Sequence, residues 1–218
     1  MNKVLFLLSN ISNLIPVIPF IFTFKKNEKP FNTILYILIL GFLNDLLSFL
    51  RYNYFREFQL FLKINDLYRI ACLGLWLYFF NQLNKDKKAN RDFLIFSIGL
   101  ILLLLDWAFF SKTRRNSFFP DIYTNIIYIN LCLKRINYQI LNKVNINKIF
   151  DPVLVFCLSM CTFYCFHLFL ISIYFLEIPL IIKIKPALWN IIPILNIIVN
   201  IIYAITFLFL PKRNELSA

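Results

Sequence analysis

Charge is scarce in this sequence, at 16% of 218 residues against the roughly one quarter usual in soluble domains. That scarcity excludes an ordinary water-soluble fold. A single histidine removes the common Ser-His and multi-His metal designs. No G-x-S-x-G, H-E-x-x-H, P-loop or dinucleotide fingerprint occurs, so no catalytic residue, cofactor or metal is expected. Glycine is also rare, with 3 residues, while Ile, Phe, Asn, Lys and Tyr are abundant. That bias matches the codon preference of an AT-rich genome and argues against reading much into single Asn or Lys residues.

What the chain has instead is apolar sequence, 60% of its residues. A membrane-crossing helix needs about 20 mostly apolar residues. Apolar runs bounded by charge predict helices over 4–24, 31–50, 64–83, 92–110, 121–141, 150–176 and 186–210. The reading is an all-α, polytopic transmembrane bundle of about seven helices over 1–218, with no soluble domain. Lys134 and Arg135 interrupt the fifth run, and losing it would leave six. The stretch from Val4 to Phe24 is too long for a signal-peptide core and has no small-x-small cleavage site, so it is expected to be retained. Pro16 and Pro19 are expected to bend it, and Pro193 the last helix. Pro30, Pro120 and Pro186 are taken as helix-stopping residues of the connections.

The formal charge of +12 would suggest nucleic acid in a soluble chain. Here the cations sit between apolar runs, where they meet lipid head groups, so membrane lipid is the expected partner and nucleic acid is not. Counting Lys and Arg by side gives 13 against 9, which places the N-terminus outside and the C-terminus in the cytosol of a bacterial inner membrane. Lys85, Lys87, Lys88, Arg91, Lys134, Arg135, Lys143 and Lys148 then form a basic cytosolic surface.

Ionisable residues within a membrane helix cost a few kcal/mol at the bilayer centre and call for a reason. Asp45, Asp66, Arg69, Asp106 and His167 all fall toward the same leaflet, that of the even loops. One reading is a polar cavity open on that side. The other is that each reaches the head groups from near a helix end, with Asp66 and Arg69 paired at i,i+3. In the last helix Trp189, Pro193, Asn196, Asn200, Tyr203 and Phe207 share one inward face. The two amides there need partners, from neighbouring helices or from a ligand. On the second helix Gly41, Asp45 and Ser48 share a face that could approach such a stripe closely.

Cys157, Cys161 and Cys165 recur every four residues, but a helix rises about 12 Å over eight residues. Two thiolates on one zinc are at most about 4.6 Å apart. The three cannot share a metal, and packing in a helix interface is the simpler use.

Short blocks along the chain carry a resemblance: Leu8-Ser9-Asn10-Ile11 leading to Ile15-Pro16, Lys29-Pro30-Phe31, Leu67-Tyr68-Arg69-Ile70, Leu188-Trp189-Asn190-Ile191 and Ile194-Leu195-Asn196-Ile197-Ile198. In these the chain resembles a family of small seven-helix integral membrane proteins of Bacteroidota such as flavobacteria. The resemblance implies seven helices in an inner membrane and implies no activity. Members carry a Glu just after the Tyr of the third helix, where this chain has Ala71-Cys72. With loops this short, the leading expectation is a non-enzymatic sensor or accessory subunit that binds a protein partner or itself. The alternatives are a small transporter or oligomeric pore, antiviral-defence effectors included, and an intramembrane lipid enzyme.

Overall fold

A computed structural model describes residues 3–23, 29–54, 58–84, 89–110, 119–141, 152–175 and 179–209. Among these residues the protein is all-helical. Its segments are α1 (Lys3–Ser12), α2 (Val17–Thr23), α3 (Lys29–Tyr54), α4 (Phe58–Asn84), α5 (Ala89–Phe110), α6 (Phe119–Leu141), α7 (Pro152–Phe175) and α8 (Pro179–Leu208). Four stretches are long and apolar enough to cross a membrane: Val4–Phe22, Asn90–Phe109, Pro152–Ile173 and Asn190–Leu208. Large apolar side chains such as Phe22, Phe93, Ile101, Leu104 and Phe109 are exposed along them, as lipid-facing positions require.

Prolines explain several helix starts. Pro152 and Pro179 open α7 and α8, and Pro30 and Pro120 are second in α3 and α6. A first-turn residue has no intrahelical use for its N–H, so proline costs nothing there. Two prolines break the first span. Pro16 has no N–H for the carbonyl of Ser12, and Pro19 has none for that of Ile15. The chain tightens instead: Asn13 N donates to Asn10 O at 3.3 Å, Leu14 N to Ile11 O at 3.0 Å and Ile15 N to Ser12 O at 3.0 Å. The bend expected from these prolines is thus a full interruption between α1 and α2.

Three expectations need correction. The connection read over 51–63 is largely helical, because helix runs to Tyr54 and resumes at Phe58. Charge ends an apolar run there, but no Pro or Gly occurs between 51 and 63 to end the helix. Likewise α8 begins at Pro179, within the connection expected over 177–185. Pro186 then lies inside α8 rather than ahead of it, a position that membrane helices tolerate.

The chain divides into two compact units, residues 1–32 with 125–218 and residues 33–124. In the first, α8 packs against α7, α1 and α2. Phe207 meets Phe20 edge-on at 5.3 Å and Phe156 at 6.3 Å, while Phe156 lies 4.7 Å from the Tyr203 ring. In the second, α4 packs against α5 around Ile70, Leu73, Trp76 and Leu103. A Cβ at Gly99 would come within 2.9 Å of the Leu73 side chain and 3.3 Å of Tyr123, so glycine allows the close approach of α5. The Tyr123 hydroxyl fastens the start of α6 by donating to the Ile95 carbonyl at 2.8 Å.

Candidate functional site

The polar centre of the second unit is built from α4, α5 and the first turn of α6. Asp66 and Arg69 lie one turn apart on α4. The Arg69 guanidinium stands 3.4 Å from one oxygen of Asp66 and 2.6 Å from Asp121. The Trp107 indole N–H donates to the other Asp66 oxygen at 2.9 Å. Asp66, Asp106 and Asp121 are 2%, 5% and 8% exposed, so all three carboxyl groups are buried. Arg69, Asp66 and Asp106 all lie close enough to Asp121 to act on it electrostatically. Among the described residues the centre thus sets one guanidinium against three carboxylates. Buried charge is costly unless it is paired or hydrogen-bonded, which is what Arg69 and the Trp107 indole supply here.

Asp66, Arg69 and Asp106 were singled out from the sequence, whereas Asp121 and Trp107 were not. Asp121 reads as an ordinary acid in a helix's first turn, where the helix dipole favours it. Trp107 was a missed signal, because a buried indole N–H needs an acceptor and its neighbour Asp106 marked the place. Asp45 is half-buried on α3, next to Asn44, whose amide donates to Asn65 of α4 at 3.1 Å. His167 belongs to the other unit. Its ring lies 3.1 Å from the Asn125 amide nitrogen of α6 and stacks on Phe163 at 6.1 Å.

The α8 stripe meets the broken first span. Asn196 donates to the Ser9 hydroxyl at 3.0 Å and to Asn13 Oδ1 at 3.3 Å. Asn200 donates to the Ser12 hydroxyl at 2.9 Å and to Asn13 Oδ1 at 2.7 Å. Tyr203 and Phe207 are buried beyond them, while the Trp189 side chain lies outside the described residues. Ser48 has its side chain outside them as well. Burial falls along the cysteine series: Cys157 is buried, Cys161 half-buried and Cys165 exposed, so the three do not share one packed interface.

Of the basic surface, Lys85, Lys87, Lys88, Lys143 and Lys148 lie outside the described residues. Arg91 binds its neighbour Asp92 at 3.0 Å, Lys134 is exposed, and Arg135 sits 5.2 Å over the Tyr138 ring. No family model, curated protein or solved structure matches the chain.

Proposed function

We propose that this protein is a small ion-handling membrane protein of the transporter class, in which the Asp66, Arg69, Asp106 and Asp121 centre binds a proton or a small monovalent cation. The single observation behind this reading is the gathering of buried acids at that centre, where Asp66 and Asp121 meet the Arg69 guanidinium and Asp106 lies close by. Charged groups that persist inside membrane helices mark ion paths and proton relays. The reading includes seven crossings of a bacterial inner membrane, with the N-terminus outside and lipid as the permanent partner.

The sensor or accessory reading draws narrower support. Among its described cations only Lys134 is exposed, and Arg91 is already held by Asp92. Infrared difference spectroscopy of the purified protein separates the two. Acid or a Na⁺ jump perturbs the carboxyl bands in the wild type, and the perturbation is lost in Asp106→Asn. Bands that respond to neither ligand would reject ion binding and return weight to a partner-binding role.

A further inference from the structure

The interrupted first span carries a second inference, independent of the carboxylate centre. Along α1 and into the turn that follows, at about 100° per residue, Ser9, Asn10, Ser12 and Asn13 fall within one arc of about 160°. All but the half-buried Asn13 are buried, whereas Val4, Leu7, Leu8 and Ile11 on the opposite arc are exposed. The helix that α1 packs against is α8. Asn196 and Asn200 of α8 reach across to Ser9, Ser12 and Asn13, and the Ser12 hydroxyl donates back to the Ser9 carbonyl at 2.6 Å. On this same face the Asn10 amide nitrogen is buried, in a residue 7% exposed, and has no hydrogen-bond partner among the described residues. Pro19 meanwhile withholds the N–H that would serve the Ile15 carbonyl. An unused donor and a carbonyl robbed of its helical donor thus lie on either side of the Asn13 turn, near the middle of the Val4–Phe22 span.

We infer that this break is a built binding site for water, which offers an acceptor to Asn10 and a donor to the freed backbone. Charge sets the ligand class. Neither Val4–Phe22 nor Asn190–Leu208 contains an acidic or basic residue, so these two spans offer nothing to balance an ion and suit an uncharged hydrogen-bonding molecule. Non-helical backbone at membrane depth persists where protein or a water-filled cavity satisfies it. Here the α8 amides serve the side chains of α1, and water serves what they leave.

The test is amide hydrogen–deuterium exchange of the full chain in phosphatidylethanolamine–phosphatidylglycerol nanodiscs. Amides of 13–18 exchange at least about tenfold faster than those of 156–164 in the unbroken α7. Asn10→Leu, which removes the unused donor, slows the 13–18 amides about fivefold and leaves 156–164 unchanged. Break amides as slow as those of α7, or an Asn10→Leu exchange identical to the wild type, would overturn the site. Should Asn10→Leu not fold, magnetisation transfer from water to the Asn10 side-chain amide in the wild type decides: a cross-peak supports the site and its absence rejects it.

Discussion

Asp66 and Asp121 share the guanidinium of Arg69, while Asp106 adds a third carboxylate to the same surroundings. This arithmetic makes the substitutions asymmetric. Arg69→Met leaves Asp66 and Asp121 without the cation they share and destabilises the protein by on the order of 3 kcal/mol. Asp106→Asn keeps the shape of the side chain and leaves the Arg69 pairs in place, so it costs less. Thermal unfolding of both variants in one detergent reads the difference, and equal losses would contradict it. Much of this centre was legible in the sequence, since Asp66, Arg69 and Asp106 are each conspicuous inside an apolar run. Asp121 was not, because its place in a first turn supplies a sufficient local reason for an acid. Burial and the 2.6 Å contact with Arg69 depend on how α4 meets α6, which no spacing along the chain encodes.

Helix boundaries follow a similar logic at the scale of the element. Apolar runs mark where a helix can lie in lipid, while proline and glycine mark where helix stops, and the two need not coincide. The stretch 51–63 has charge without breakers and stays mostly helical. The first span has breakers without charge and is interrupted in mid-course. Periodicity gave the α8 stripe its inward face, but not its partner, because the acceptors on α1 depend on a contact across 183–188 residues. Asn200 bridges Ser12 and Asn13. Asn200→Leu strips both acceptors and weakens the packing of α1 on α8 by about 1 to 2 kcal/mol, the upper range for interhelical hydrogen bonds in membranes. The check is unfolding by SDS titration. Ile201→Leu, on the exposed face of the same helix, is the control and is silent.

For the whole molecule, exposed apolar side chains along four membrane-length stretches leave lipid as the surrounding solvent. Orientation rests on the 13 to 9 bias of Lys and Arg. Under the proposed orientation, a fluorescent protein fused to the C-terminus glows and an alkaline phosphatase fused there stays inactive; the opposite pattern reverses the orientation. The central claim is that the carboxylate centre handles an ion, and flux tests it most directly. In proteoliposomes with an internal pH indicator, an imposed proton or Na⁺ gradient drives a pH or cation response through the wild type at least about tenfold above Asp106→Asn. A wild-type rate equal to that of Asp106→Asn and of protein-free vesicles, under both gradients, would contradict it.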